Sequence, residues 1–399
     1  LRGYSITILE QYKEAGGMLR YGIPQFRLPH DILEKDIKSI VDLGVSIKTN
    51  ERITSEKYIE KLQQEYDAVI LAGGCQLPKK SNISDAKATG FFWGLDYMMQ
   101  TNENLMTDSY KKVVVIGGGF TAVDCTRMAY RLGAEKVTLA YRRTKDDLRV
   151  SLHEVDAMEA EGVVFDFLAS PLELIIVAGR VAGIRFIKNS IQQDRSIQPI
   201  PNSEFTIDVD CVILAIGQEE EGDLFSDEKK RSGNFYIAGD FRNGASTVIE
   251  AAADGRKVAK EVHRSLSAID GYQDTIEIQA VADTGRERDY DFIPRQAMPE
   301  TPFTERTEKI KEVETGYKRE ESLIESRRCY LCFYNFQIDI DRCIYCLKCI
   351  DVMPINCIKM AKDIEIADDN DLNYVETNLW SEAQAIVIDN DACIRCGNC

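Results

Sequence analysis

The chain has 399 residues, 44% of them hydrophobic and 29% charged, and a formal net charge of −17 at neutral pH. That length allows two or three domains, and the acidity excludes nucleic acid or an anionic membrane surface as a partner. No apolar run approaches the ~18 residues that span a bilayer, so no membrane-spanning helix is expected, and the opening residues are not expected to be a secretory leader.

Ser5-Ile-Thr-Ile-Leu9 reads as a strand with Glu10 at its C-terminal end. In a dinucleotide-binding unit that position carries the ribose-binding carboxylate, and the glycine fingerprint lies about 20 residues earlier. The chain is therefore expected to start inside a longer protein. Taken alone, Glu10 reads as a surface charge.

The clearest nucleotide motif is central. Lys111-Lys-Val-Val-Val-Ile116 is a short apolar strand, followed by Gly117-Gly-Gly119-Phe-Thr-Ala122 and a helical stretch through Leu132. Gly117 permits the tight turn, and Gly119 lets the backbone approach a pyrophosphate. The small Ala122 lets the helix pack closely on the strand, so its positive N-terminus faces the phosphates. A second strand, Lys136–Tyr141, ends where the ribose belongs, and Arg142 and Arg143 follow it. Arginine there favours the 2′-phosphate of NADP(H), with NAD(H) as the alternative. The plainer reading is a glycine-rich turn and a solvated charge pair.

Nine of the twelve cysteines lie after residue 328. Cys75, Cys125 and Cys211 are isolated in apolar surroundings and read as core residues. Residues 269–328 read as a polar connector ending in a charged, solvated helix from Glu305 to Arg328. Cys329 and Cys332 form a half-site, which completes no metal centre by itself. Cys343, Cys346 and Cys349 then have the C-x-x-C-x-x-C spacing of a cubane cluster, and Cys393, Cys396 and Cys399 repeat it to the last residue. Two such runs predict a small ferredoxin-like domain over 329–399 with two 4Fe-4S clusters, continuing beyond residue 399. Each run ordinarily lends its fourth cysteine to the other cluster. Here that position is Met353, whose thioether is a poor iron ligand. Cys357 moving in, a 3Fe-4S cluster and a non-cysteine ligand all stay open. Cysteines at such spacing imply a reducing cytoplasm. His30, His153 and His263 show no ligand or triad spacing.

Gly16-Gly-Met-Leu-Arg-Tyr-Gly-Ile-Pro-Gln-Phe-Arg-Leu-Pro29 resembles the small (beta) subunit of glutamate synthase and related flavoproteins. The match continues through Ala68–Gly74, Gly117–Asp124, Tyr141–Arg143 and Val209–Gln218. Phe235–Asp240 and Gly244–Ala252 complete it, over residues 1 to about 265. The resemblance implies an α/β fold of two Rossmann-like domains. An FAD domain would be split between 1–108 and 219–268, with an NAD(P) domain inserted at 109–218 and the iron–sulfur domain appended. It implies that Glu10 holds the FAD ribose and that Gly17, Leu19, Gly22, Ile23 and Arg27 line the flavin. Gly239 and Asp240 would reach the ribityl-phosphate region, and Thr247 and Val248 would open a helix aimed at the flavin ring. Gly73 and Gly217 fall in the same family motifs. Gly117, Gly119, Ala122, Arg142 and Arg143 would hold NADP(H).

Three departures stand out: the first glycine fingerprint is missing, the family's A-T-G is Ala72-Gly73-Gly74, and the stretch from Gln218 to Phe235 is short. Thioredoxin reductases share the implied architecture but carry a C-x-x-C beside the flavin, which this chain lacks before residue 329. The implied activity is electron transfer between NADP(H), FAD and 4Fe-4S clusters to a ferredoxin or a partner subunit of a larger complex. Two alternatives remain: an iron–sulfur relay scaffold with a degenerate flavoprotein shell, and a glutamate synthase small subunit proper.

Overall fold

The computed structural model describes residues 3–83, 87–106, 108–221, 233–270, 290, 292–306, 310–329, 336, 338, 342–344, 346–353, 355–366, 372–390 and 392–393. The chain divides into two compact units, Leu1–Thr275 with Glu300–Thr315, and Ile276–Pro299 with Gly316–Cys399.

The first unit opens with β1 (Thr7–Leu9), α1 (Gly17–Tyr21), α2 (His30–Val41), β2 (Ser46–Lys48), α3 (Glu56–Glu65), β3 (Val69–Leu71) and β4 (Leu77–Pro78). In α2, Asp31 lies in the first turn and Lys38 in the last, each complementing the helix dipole. Next come β5 (Phe91–Trp93), α4 (Gly94–Asn102), β6 (Lys112–Ile116), α5 (Phe120–Arg131), β7 (Lys136–Tyr141), α6 (Leu152–Ala160) and β8 (Val164–Phe167). A meander, β9 (Ala169–Val177), β10 (Arg180–Ile191) and β11 (Ile197–Ile207), precedes β12 (Cys211–Leu214) and β13 (Gln218–Glu219). The last elements are β14 (Phe235–Ile237), α7 (Asp240–Asn243) and α8 (Val248–Asp270).

The central sheet has the order β5-β12-β6-β7-β8, with every pair parallel. Val113, Val114, Val115 and Ile116 of β6 are all buried, the continuous apolar run of a strand covered on both faces. The β9–β10–β11 sheet is antiparallel. Among the described residues, the split domain has two parallel pairs, β1–β2 and β3–β14, and β4 pairs antiparallel with β13. Ile6, Ile8 and Ile70 on these pairs remain exposed. The α/β character with Rossmann-like topology is as expected.

A buried ionic lattice joins the segment after α1 to the helices of the central sheet. Arg27 donates from Nε to Asp124 at 2.5 Å and through both terminal nitrogens to Glu154 at 2.5 and 2.8 Å. Arg127 reaches Glu154 at 3.1 Å and Glu161 at 2.9 Å, and Arg131 reaches Glu161 at 3.2 Å. Arg306 donates to Glu300 at 2.5 Å and lies 3.7 Å from Glu161. Phe26 sits in the middle, with Arg131, Arg127 and Arg27 at 4.1, 5.2 and 5.6 Å from its ring centroid. The Val313 amide donates to the Phe26 carbonyl, so the Glu300–Thr315 strap closes this lattice. Val313 gives its amide to Phe26 and its carbonyl to the Thr301 amide, bonds outside any helix, and the predicted Glu305–Arg328 helix is confined to α9 (Arg319–Ser326), with a 3₁₀ turn at Phe303–Glu305.

In the second unit, α9 buries no side chain and α10 (Lys348–Val352) is one short turn. β15 (Ile358–Ile366), β16 (Leu372–Glu376) and β17 (Ala385–Ile388) form an antiparallel sheet in the order β16-β15-β17. Among the described residues, no helix is long and apolar enough to cross a membrane.

Burial raises the Glu154 and Glu161 carboxyls, but the Arg27 and Arg127 hydrogen bonds outweigh it and hold both below the usual range. Burial pushes Asp124 up despite Arg27. Stability from the two glutamates is therefore present above their unfolded value of ~4.3 and lost as pH falls through the lower folded values. Asp124 contributes with the opposite sign. Glu161→Gln leaves buried guanidiniums short of a counter-charge and should cost about 3–5 kcal/mol in denaturant unfolding. The variant should also lose less further stability than wild type as pH falls from about 5 to about 2, the window below the unfolded carboxylate value.

Candidate functional site

The nucleotide cradle follows from close approach of backbone to backbone. A Cβ on Gly117 would lie 2.2 Å from the Ala215 carbonyl oxygen and 2.9 Å from Ala122 Cβ. Only glycine lets β6 turn into α5 this tightly, and Ala122 is fully buried at the crossing. A Cβ on Gly118 would strike the Tyr141 ring at 2.3 Å, so that ring closes one side of the turn. Gly119, the N-cap of α5, has open space where its Cβ would be. The three glycines differ in surroundings: Gly117 meets backbone, Gly118 meets the Tyr141 ring, and Gly119 leaves the start of α5 open.

The loop after β7 folds back over this turn. Tyr141 Oη donates to the Asp147 carbonyl at 3.0 Å, and the Arg149 amide donates to the Gly118 carbonyl at 2.9 Å. Asn189 donates to the Arg142 carbonyl at 3.0 Å, and the Leu168 amide donates to that of Arg143 at 3.0 Å. Arg142 is exposed; the Arg143 guanidinium donates to the Arg195 carbonyl at 2.9 Å. The structure thus brings Gly117, Gly119, Ala122, Arg142 and Arg143 to one end of β6 and β7.

The residues expected near a flavin gather in the split domain. Glu10 ends β1 and accepts from the Tyr12 amide at 2.9 Å. Gly17 and Leu19 lie in α1, and Gly22 caps it with no room for a Cβ beside Met18 Sδ. The Ile23 carbonyl accepts from buried Asn102 at 2.9 Å. Arg27 belongs to the same segment, but its guanidinium is committed to Asp124 and Glu154. Gly73 packs against Phe241, and Gly217 against Lys79. Gly239 takes φ +67, a left-handed conformation that favours glycine, and its amide donates to Asp254 at 2.7 Å. Asp240 accepts from Ser246 at 2.5 Å. Thr247 and Glu250 cap each other at the start of α8, just before Val248. The Cys75 thiol donates to the Asp240 carbonyl at 3.2 Å and is pushed up to about 11 by burial, which leaves it an inert neighbour. Cys125 and Cys211 are buried as expected.

In the second unit, Leu347 takes φ +60 and turns the chain between Cys346 and Cys349. Burial raises the Cys349 thiol, with smaller contributions from Cys343 and Cys346. Cys357 is buried, and its carbonyl accepts from the Asp389 amide at 2.8 Å; the Asp389 carbonyl in turn accepts from the Cys393 amide at 2.9 Å. Met353 Sδ accepts from the Ile358 amide at 3.2 Å. Cys329 is exposed. Cys332, Cys396 and Cys399 lie outside the described residues.

Two features escaped sequence reasoning. Asp124, Glu154 and Glu161 lie far from Arg27 in sequence, so nothing local announces the lattice. His153 meets Glu300 and Glu314, with ligand atoms within 4.8 Å of one another, at no recognisable spacing. His153 Nε2 lies 2.8 Å from Glu300, whose other oxygen is taken by Arg306.

A split parallel-sheet domain with an inserted glycine-turn domain defines the class of two-dinucleotide-domain oxidoreductases. Residues 5–255 match the family model described as pyridine nucleotide-disulphide oxidoreductase, and the chain belongs to that family. It is 33% identical over 366 residues to the NADP(+)-dependent formate dehydrogenase subunit beta of Moorella thermoacetica, covering 83% of this chain and 52% of that one. It is 30% identical over 392 residues to the NADPH-Fe(3+) oxidoreductase subunit beta of Geobacter sulfurreducens, covering 84% of this chain and 58% of that one. The glutamate synthase [NADPH] small chain of Azospirillum brasilense is 32% identical over 302 residues, covering 67% and 63%. The resemblance to the glutamate synthase small-subunit group is borne out. The chain spans about half to three-fifths the length of the first two relatives. A solved structure of Mycobacterium tuberculosis FprA in complex with NADPH shares the fold, with TM-score 0.55, 20% identity, and coverage of 67% of this chain and 79% of that one.

Gly119→Ala should keep the wild-type melting temperature yet bind NADP⁺ at least about tenfold more weakly by calorimetry, ~1.4 kcal/mol. Gly117→Ala should lose both binding and stability, because its Cβ meets backbone.

Proposed function

We propose that the protein is an NAD(P)H-dependent flavin and iron–sulfur oxidoreductase subunit. It would pass electrons between NADP(H), FAD and 4Fe-4S clusters to a ferredoxin or a partner redox subunit in the cytoplasm. The observation that carries this reading is the cradle at Gly117–Ala122 with Arg142 and Arg143 beyond the neighbouring strand, in one unit with the flavin-type segments. FAD and clusters together supply the conversion of hydride equivalents into single electrons.

This chain's own residues supply binding and orientation. The α5 N-terminus and the Gly119 backbone would receive the pyrophosphate. Arg142 and Arg143 would take the 2′-phosphate. Glu10 would accept the FAD ribose hydroxyls, and Gly239, Asp240, Thr247 and Val248 would approach the flavin side. The capped N-terminus of α8 favours negative charge nearby. Cys343, Cys346 and Cys349 would hold one cluster; Cys393, Cys396 and Cys399, with Cys357 at hand, a second; Cys329 and Cys332 a shared site. The exposed Ile6, Ile8 and Ile70 on the two half-sheets fit a flavin domain completed by a further strand that carries the missing glycine fingerprint.

The test is an anaerobic titration of the full-length parent protein with NADPH and then NADH, following flavin and cluster absorbance. NADPH should bleach the flavin band first and the cluster band next. The double substitution R142A/R143A should raise KM for NADPH at least about tenfold with little change for NADH. Bound flavin that neither nucleotide reduces would overturn the pyridine-nucleotide assignment. Absence of flavin would favour the relay scaffold.

A further inference from the structure

The hairpin between β10 and β11 reaches across to the loop that follows β7. Its tip is a tight turn, with the Arg195 amide donating to the Gln192 carbonyl at 2.9 Å and the Gln192 amide to the Ser196 carbonyl at 3.0 Å. Arg195 takes φ +63, which turns its carbonyl toward Arg143 and its side chain toward Asp147. The carbonyl accepts from Arg143 Nη1 at 2.9 Å, and the guanidinium forms an ion pair with Asp147. Thr144 donates to the other Asp147 oxygen from its hydroxyl at 2.7 Å and its amide at 3.2 Å. The Thr144 hydroxyl bond first, and Arg195 with it, hold Asp147 below the usual carboxylate range, so it is charged at neutral pH.

Asp147 therefore places a negative charge inside the loop proposed to receive a phosphate. Its backbone carbonyl accepts from Tyr141, whose ring closes the Gly118 turn, so residue 147 is tied to that turn, and its carboxylate is held by Thr144 and Arg195. A second anion within a Debye length, ~8–10 Å, repels unless it is compensated. The Arg195 guanidinium is the cation bound to it, and it comes from a different sheet.

We infer that Arg195 is a positioning and specificity-determining residue for the NADP(H) 2′-phosphate: its carbonyl aims Arg143, and its guanidinium neutralises Asp147. The inference rests on the proposed nucleotide site and deepens it. The NADP(H) preference is then set by a trio, Arg143, Asp147 and Arg195, and not by the two arginines after β7 alone.

The test is NADP⁺ and NAD⁺ binding by calorimetry on the full-length protein, with melting temperatures recorded for every variant. Arg195→Ala keeps the carbonyl and removes the cation. It should weaken NADP⁺ about three- to tenfold and change NAD⁺ less than about twofold. Arg195→Ala combined with Asp147→Asn should restore NADP⁺ binding to within about twofold of wild type, because the repelling charge is gone. Asp147→Asn alone keeps an acceptor for Thr144 and should bind NADP⁺ at least as tightly as wild type. A merely structural role for Arg195 would shift both nucleotides together and would not be rescued by Asp147→Asn. Arg143→Ala separates the two levels of the reading. If it lowers the NADP⁺ to NAD⁺ ratio while Arg195→Ala does not, the inference falls and the site stands. If Arg143→Ala leaves the ratio unchanged, the site itself is wrong.

Discussion

The arrangement of the two dinucleotide domains depends on charge buried against charge around Phe26. Arg27 lies four residues beyond Ile23, at the end of the segment that would face a flavin, and it is tied to Asp124 on the first helix of the glycine-turn domain. Glu154 and Glu161 extend the lattice to the end of α6, and Arg306 ties in the strap at 300–315. Buried ion pairs add little net stability over apolar packing, but removing one partner is costly. Such a lattice penalises misalignment, and it holds the flavin-type segment in register with the nucleotide cradle.

In the proposed activity register matters, because hydride transfer between two cofactors needs little acid–base help from the protein. It needs two rings held in contact with water excluded. The described residues around the cradle supply backbone amides, a helix terminus and arginines, which is what binding and orientation require. Cys75, raised by burial and bonded to a backbone carbonyl, does not offer the reactive thiol of a disulfide reductase. The chain uses the family's scaffold without a dithiol in its first unit.

The second unit follows a different logic. Among the described residues its sheet is antiparallel and its helices are short, Leu347 turns the chain between Cys346 and Cys349, and backbone bonds through Asp389 link Cys357 to Cys393. Met353 takes a backbone amide as its partner, so its sulfur already serves the local fold.

Local pattern determined a good deal of this protein. The apolar run before Gly117, the glycine spacing and the small Ala122 announce a strand, a turn and a helix, because each is a steric demand satisfied within a dozen residues. Arg142 and Arg143 are legible for the same reason, as they follow a strand whose end is marked. The cysteine runs are equally local. Tertiary structure alone decided the rest. Sequence places Arg27 in a flavin-facing motif, yet only folding sets it against Asp124 and Glu154, about a hundred residues away. Residues 300–315 look like connector until Val313 pairs with Phe26. Arg195 sits in an unremarkable polar turn, and its role emerges only when β10 and β11 carry it across to Asp147. Charge pairing over such separations leaves no periodicity in the chain, since ion pairs are selected by three-dimensional proximity and not by spacing along the backbone.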